Sequence, residues 1–256
     1  MLWVLLITLL IRTLSGGPED VFLVPKLEKQ LKTHVVDKGK RDELIQISKT
    51  AKSEIKTFKR HRKNKLKEID ILMKNRSVPS GTIYTVYESY QKKRVTLQMS
   101  LIDKRLRFQE LFTDDEWDHI IAKAVFPSDK KSDKAEKQDG KQDKVLDEYF
   151  AKIKKEVEQH VSDPDKLNII FSSMDEFQHT FDEFLEEGQN MNVHDSDILR
   201  NKHASREELE QFYDEQNALR NKGSQQYMDL RTVAIENTDE KEWKAIEKAL
   251  SSILSE

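Results

Sequence analysis

The chain has 256 residues, of which 36% are hydrophobic and 36% are charged. Only 7 Gly and 5 Pro interrupt it, which favours long helices with solvated faces. It contains no Cys, and this excludes disulfide bonds, thiolate zinc sites and a cysteine nucleophile. The sequence has no phosphate-binding glycine loop, nucleophile elbow or dinucleotide-binding fingerprint, so it indicates no enzyme and no bound cofactor.

The N-terminal stretch, MLWVLLITLLIRTLSGG, is far more apolar than the rest of the chain. An apolar helix that ends at Arg12 spans roughly 20 Å, against a hydrocarbon core of ~30 Å. This length is typical of a signal peptide or a short signal anchor, with residues 1–14 in the membrane. Basic residues after the segment favour a cytoplasmic body, whereas a signal-like core favours export. We expect a membrane-anchored or exported protein with an extracytoplasmic body, and its orientation stays open.

Residues 26–125 predict a short helix, a long helical hairpin and a closing helix. Apolar residues recur at three- and four-residue steps over residues 40–74, which predicts the first long helix. Residues 79–81, Pro-Ser-Gly, predict the turn before the returning helix. Thr113 and Glu116 have the spacing of a capping box, which predicts the start of the closing helix.

The stretch SDKKSDKAEKQDGKQDK, which begins at Ser128, is almost wholly polar. Its composition predicts an exposed linker or a partly helical charged spacer. A second set of helix signals follows it. Asp163 and Pro164 indicate a helix start, because Asp caps helices and Pro suits the first helical position. Ser205 and Glu208 have capping-box spacing and predict the start of another returning helix.

The two sets of elements resemble each other in sequence. KLEKQLKTHVVD, which begins at Lys26, matches KIKKEVEQHVSD, which begins at Lys152, and both end in His-Val-x-Asp. Thr113 to Trp117 matches Thr238 to Trp243, which is one residue longer. The sequence therefore predicts an all-α fold made by tandem duplication of a ~100-residue unit after an N-terminal apolar segment.

Five segments follow from this interpretation. They are a signal anchor or signal peptide at residues 1–17, a connector at 18–25, a basic helical unit at 26–125, a charged linker leading into a helix at 126–151, and an acidic helical unit at 152–256. We interpret the recurring Trp117 and Trp243 as aromatic anchors that close the two units.

Charge is divided between the two halves. Residues 26–125 carry 24 Lys and Arg against 14 Asp and Glu, a net charge of +10, whereas residues 144–256 carry 14 against 26, a net charge of −12. The predicted contact residues are Lys56, Arg60, Arg62 and Lys63 on a basic face and Glu183, Glu186 and Glu187 on an acidic face.

Four interpretations of the basic peak at residues 56–67 compete. It could attract the acidic half, bind anionic lipid head groups, bind nucleic acid, or form a solvated helix face without a partner. Phe58 is the only aromatic residue in this peak, so it offers no stacking surface for bases and argues against nucleic acid.

Two Glu-x-x-His motifs raise the question of a metal site. Each follows another glutamate by 28 residues, an arrangement similar to that of helical di-iron carboxylate proteins. The six candidate ligands are Glu88, Glu116, His119, Glu148, Glu176 and His179. Against a metal, Glu116 sits among acids at a helix start, where carboxylates complement the helix dipole. The motifs also occupy different places within the two units, so we expect no metal.

The ending of the first unit, Leu111 to Trp117, is similar to the Leu-Thr-x-x-Gln motif of small periplasmic helical chaperones. The glutamine is absent at its expected place, and the likeness covers only a few residues. The resemblance implies a helical cradle that binds partly folded client proteins.

We expect a non-catalytic helical scaffold or partner-binding subunit of a membrane-associated protein assembly. Long amphipathic helices and the separated charge favour this function, because such helices present grooves or charged faces to protein partners. An exported chaperone-like or carrier protein with a cleaved leader is the first alternative. A di-metal carboxylate enzyme is the second.

Overall fold

The computed structural model describes residues 18–124 and 139–253, which form α-helices and no β-strand. A 3₁₀ segment at Pro18–Leu23 comes first, and a π-helical turn at Asp118–Ala122 follows the fourth helix. The helices are α1 Leu27–His34, α2 Lys38–Lys74, α3 Ser80–Leu111, α4 Asp114–Trp117, α5 Asp139–His160, α6 Pro164–Arg200, α7 Arg206–Glu236 and α8 Glu240–Ile253. The predicted all-α fold is confirmed.

The predicted helix starts are confirmed, and each has a local cause. Asp163 accepts hydrogen bonds from the first turn of α6, and Pro164 occupies the first helical position. Thr113 with Glu116 and Ser205 with Glu208 form complete capping boxes at the starts of α4 and α7. These starts depend on residues within one turn, so the sequence alone predicts them.

The structure fixes the starts of three further helices. α2 begins at Lys38 rather than near residue 40, because Asp37 caps it and accepts a 2.7 Å hydrogen bond from the Lys40 backbone. α5 begins at Asp139, within the segment 126–151 that was predicted as a charged linker leading into a helix. α8 is capped by Asp239, whose carboxylate accepts backbone hydrogen bonds from the first turn, whereas the Thr238 hydroxyl donates back to Ala234.

The four long helices form two hairpins that pack through their returning helices. α2 pairs with α3, α6 pairs with α7, and α3 packs against α7. Tyr87 of α3 donates to the Arg220 carbonyl of α7, while further along α3 Asp103 pairs with Arg206. Rising residue numbers on α3 meet falling numbers on α7, so these two helices are antiparallel.

The hydrophobic cores mix residues from both halves of the chain. One core joins Ile69, Met73 and Ile83, near the tip of the first hairpin, to residues of α5 through α8 such as Phe177 and Trp243. A smaller cluster joins Ile102 of α3 to the start of α7, including Leu209. Each hairpin tip is therefore covered by apolar residues from the opposite half.

A third core lies within the first half and includes the 3₁₀ segment. Phe22 of that segment packs edge-on against Phe108, which in turn packs against Phe112. Leu44 of α2 and Trp117 of α4 belong to the same cluster. The connector at residues 18–25 is thus part of the folded body rather than a free spacer.

In residues 18–124 and 139–253, no helix is long and apolar enough to cross a membrane. The apolar segment at residues 1–17 and part of the charged linker lie outside the described residues.

Candidate interaction surface

Seven Lys and Arg residues form a stripe along the exposed side of α2, and we call it the basic stripe. Its members follow one another at intervals that keep them on one helix face: Lys49, Lys52, Lys56, Lys59, Arg60, Lys63 and Lys67. All are exposed except Lys52, which is half-buried, and none of the seven side chains makes a hydrogen bond or ion pair with another described residue. At ~1.5 Å per residue the stripe extends for about 27 Å, so it is a long cationic surface without an internal counter-charge.

Arg62 lies off the basic stripe. It follows Arg60 by two residues, a spacing that places side chains on different faces of a helix. Seven residues separate it from both Ile55 and Ile69, which are buried, so Arg62 shares their side and is itself half-buried. The structure therefore brings Lys56, Arg60 and Lys63 together and separates the fourth predicted residue from them.

The single aromatic residue of the basic peak faces inward. Phe58 is half-buried, and its ring stacks on Tyr90 with 5.7 Å between ring centroids. The Arg94 guanidinium lies over the ring of Tyr90 as well, 5.1 Å from its centroid. Phe58 is thus occupied by packing and is not presented to bases beside the basic stripe.

The predicted acidic residues on α6 have different surroundings. Glu183 lies 3.2 Å from the Lys222 ammonium and 3.4 Å from Nε2 of His179. Glu186 and Glu187 are exposed and make no hydrogen bond or ion pair with another described residue. The carboxylates available to a partner are therefore those of Glu186 and Glu187, whereas Glu183 already has a counter-charge.

Each of the two predicted tryptophan anchors donates a hydrogen bond to the hairpin of the opposite half. The Trp117 indole N–H donates to the Arg200 carbonyl, at the end of α6, with a length of 2.6 Å. The Trp243 indole N–H donates to the Lys74 carbonyl, at the end of α2, with a length of 3.2 Å. Helix ends leave carbonyl groups without intrahelical partners, so each tryptophan satisfies one of them across the interface.

Two buried arginines make the same kind of contact. Arg105 donates to the carbonyls of Ile198 and Asn201, and its guanidinium lies 4.8 Å from the Trp117 ring. Arg231 donates to turn carbonyls of the first hairpin, those of Met73, Asn75 and Val78, and lies 6.0 Å from the Trp243 ring. A cation beside a helix C-terminus also complements the negative end of the helix dipole.

Sequence reasoning missed these two arginines, although a signal for them exists. Arg105 and Arg231 are 126 residues apart, as are Trp117 and Trp243. Burial lowers the pKa of Arg105 to about 9, and a nearby tyrosine, Tyr213, acts in the opposite direction. A buried guanidinium that binds backbone carbonyls indicates a structural role at the interface between the hairpins.

Both side chains of the first Glu-x-x-His motif, Glu116 and His119, contact neighbouring groups of the protein. Glu116 accepts the Thr113 backbone N–H at 2.8 Å and pairs with Lys40 of α2. Partial burial acts to raise the pKa of Glu116, but the hydrogen bonds from Lys40 and Thr113 outweigh it and lower that pKa. His119 is exposed, with Nδ1 2.8 Å from the Asp115 carbonyl and its ring stacked on His34 at 6.0 Å.

The other candidate metal ligands are dispersed over the surface. Glu88, Glu148, Glu176 and His179 are all exposed. Across the described part of the chain, no group of three or more His, Asp or Glu side chains is placed to hold a metal ion. The structure therefore does not bring the six predicted ligands together.

Comparison with known proteins places no relative beside this chain. No family model, no curated protein and no solved structure matches it.

Proposed function

We propose that this protein is a non-catalytic helical scaffold that binds protein partners within a membrane-associated assembly. The observation that carries the proposal is the basic stripe, whose seven cations have no counter-charge among the described residues. Segregated charge on a long rigid helix accelerates association and selects partners of opposite sign. Residues 1–14 would hold the body at the membrane, on its extracytoplasmic side, and raise its local concentration there.

The tandem duplication is part of this proposal. Its support is a constant spacing of 126 residues between corresponding contacts. The sequence match of Thr113 to Trp117 with Thr238 to Trp243, by contrast, needs one extra residue in the second copy. Corresponding pairs include the helix caps Asp37 and Asp163, the arginines Arg105 and Arg231, the tryptophans Trp117 and Trp243, and their acceptors Lys74 and Arg200. Such reciprocal contacts are what a two-fold, self-complementary association of two copies of one unit would produce.

Size analysis of the protein extracted from native membranes tests the scaffold function. We expect the tagged full chain, in mild non-ionic detergent, to run in a complex larger than its own 30.1 kDa. Reversal of three cations of the basic stripe, Lys56→Glu with Arg60→Glu and Lys63→Glu, should release it from that complex, and so should high salt.

A matched variant controls for the change in net charge. Lys29, Lys32 and Lys38 are exposed and lie away from the basic stripe, and their ammonium groups have no partner among the described residues. Their replacement by Glu changes the net charge equally and should leave the complex intact. A wild-type chain that runs alone, or a complex that survives both salt and stripe reversal, would refute binding through the basic stripe.

The mass of the native N-terminus separates the anchored scaffold from an exported carrier with a cleaved leader. Retention of residues 2–11 supports the anchor. A mature chain that starts between residues 16 and 19 contradicts it and supports the exported form.

A further inference from the structure

The face of α6 that corresponds to the basic stripe carries the opposite charge. Adding 126 to Lys49, Lys56 and Arg60 gives Asp175, Asp182 and Glu186, so three cations of α2 correspond to three carboxylates of α6. All six side chains are exposed. The inversion of charge falls on the same helix face in both halves, which gives the molecule two complementary surfaces.

Two further glutamates lie beside this face of α6, each one residue after a carboxylate of the matched set and therefore about 100° further round the helix. Glu176 and Glu187 are exposed, and neither pairs with another described residue. Eleven residues separate them, as they separate Lys56 from Lys67, so both spans measure about 16 Å along a helix. Part of this surface is already engaged, since Asp175 pairs with Lys154 of α5 and Asp182 also has an interaction partner. Glu176, Glu186 and Glu187 are thus the carboxylates that remain available, and we call them the acidic stripe.

We propose that the basic stripe of one molecule binds the acidic stripe of α6 in a second copy of this chain. The inference rests on the proposed scaffold function, to which it adds the identity of one partner. Two helices of opposite charge form ion pairs along their contact, here over the roughly 16 Å that the acidic stripe spans. The association is consequently electrostatic and weakens as salt screens it.

A second copy of the chain engages both charged stripes, whereas anionic lipid or nucleic acid engages only the basic one. Anionic lipid or nucleic acid would neutralise the basic stripe and leave the acidic stripe without a role. Phe58, the aromatic residue nearest to the cations, is packed on Tyr90 and offers no stacking to bases. A partner that carries both charges satisfies both stripes, and the chain itself is such a partner.

The two stripes are different surfaces, so the contact is heterologous. A bound pair still has one free acidic stripe on one copy and one free basic stripe on the other, and binding therefore continues from copy to copy. This property suits a scaffold, because growth gives a row of molecules that repeats along its length.

Sedimentation of the purified full chain in non-ionic detergent tests the inference. In about 0.01 M salt, where charges interact over roughly 30 Å, we expect assemblies larger than the 30.1 kDa chain, and in about 1 M salt the single chain. A chain that stays single at low salt over a wide concentration range overturns the inference.

Charge reversal of each stripe, followed by mixing, identifies the surfaces involved. One variant combines Lys56→Glu, Arg60→Glu and Lys63→Glu, and the other combines Glu176→Lys, Glu186→Lys and Glu187→Lys. The first variant cancels most of the charge of its basic stripe, because four lysines remain beside three new glutamates, and the second variant has two stripes of like charge. Each variant alone should therefore remain single. In a mixture, the unchanged basic stripe of the second variant meets the unchanged acidic stripe of the first, so the mixture should again form assemblies larger than the single chain.

Circular dichroism checks that both variants are folded, and the recovery on mixing is a gain that misfolding does not produce. The Lys29→Glu, Lys32→Glu and Lys38→Glu variant is the charge-matched control and should assemble like the wild type. Loss of assembly in this control, or no recovery in the mixture, overturns the inference.

Binding to lipid vesicles distinguishes a lipid partner from a second copy of the chain. Stripe-dependent binding to vesicles with about one-third anionic lipid, by a chain that stays single in solution, assigns the basic stripe to the membrane and overturns the inference. A single purified chain that still enters a larger native complex also overturns it but leaves the proposed scaffold function in place. Purified assemblies without any native membrane complex would instead refute the proposed function.

Discussion

At the level of single residues, the most informative side chains are those that bind backbone carbonyls of the opposite hairpin. Trp117 and Trp243 each donate one indole hydrogen bond to the end of a long helix. Arg105 and Arg231 donate to the turn that follows the same helix end. A buried carbonyl without a partner costs about 1–3 kcal/mol, so these contacts hold the hairpins in one relative position.

Replacement of Trp117 by Phe tests the indole hydrogen bond. Phenylalanine keeps an aromatic ring in the core but leaves the Arg200 carbonyl without its donor. We expect the free energy of unfolding to fall by about 1–3 kcal/mol, measured by denaturant titration. Tyr84→Phe is the control, because the half-buried Tyr84 hydroxyl has no hydrogen-bond partner among the described residues. Equal stability of Trp117→Phe and the wild type would contradict this role.

The Glu116 carboxylate should make stability depend on acidic pH. Contacts with Lys40 and Thr113 lower its folded-state pKa below the ordinary glutamate value of 4.5. Its contribution is therefore complete above pH 4.5 and is lost as the pH falls through the folded-state value. We expect the free energy of unfolding of Glu116→Gln and of Lys40→Met to fall less steeply than that of the wild type as the pH is lowered, which is the acid limb of the curve. An acid limb as steep as that of the wild type in both variants would contradict this assignment.

At the level of elements, the capping residues explain where the long helices begin. Asp37 and Asp163 both lie in extended backbone and accept hydrogen bonds from the first helical turn. Each is followed by a helix of 37 residues. Sequence reasoning placed the start of α2 too late because it followed apolar periodicity and gave no weight to the cap.

Substitution at Asp37 measures the contribution of this cap. We expect Asp37→Ala to lower the free energy of unfolding by about 1 kcal/mol, because a backbone N–H of the first turn loses its acceptor. Asp37→Asn should retain nearly full stability, since Asn caps as well as Asp does. Thermal unfolding followed by circular dichroism compares the two, and an Ala variant as stable as the Asn variant would contradict the capping role.

At the level of the whole molecule, the two halves depend on each other. The tip of the first hairpin supplies Met73 and Ile83 to a core shared with α5 through α8. Ile102 of α3 packs with residues at the start of α7, such as Leu209. The halves therefore exchange both hydrophobic surface and backbone hydrogen bonds.

Separate production of the halves tests this dependence. We expect a fragment of residues 18–125 to lose much of its helicity, because the shared core and the donors Arg231 and Trp243 are absent. A fragment of residues 139–256 should restore helicity when the two are mixed, as circular dichroism would show. A first fragment that unfolds cooperatively with the stability of the full chain would contradict this dependence.

The surface charges show how much of the candidate site the sequence predicts. The charge difference between the halves follows from counting, and helix periodicity places Lys56, Arg60 and Lys63 on one face. The same periodicity separates Arg62, which proximity in sequence alone had grouped with them. Packing between α6 and α7 decides that Glu183 pairs with Lys222 and that Glu186 has no such partner among the described residues.

The sequence by itself determined the all-helical class, the helix caps and the separation of charge. These properties arise within one or two helical turns or from composition, so they need no knowledge of distant partners. Only the tertiary structure decided that Trp117 and Arg105 bind the second hairpin and Trp243 and Arg231 the first. Those partners are 83 to 169 residues apart in sequence, and only the antiparallel packing of α3 on α7 brings them together.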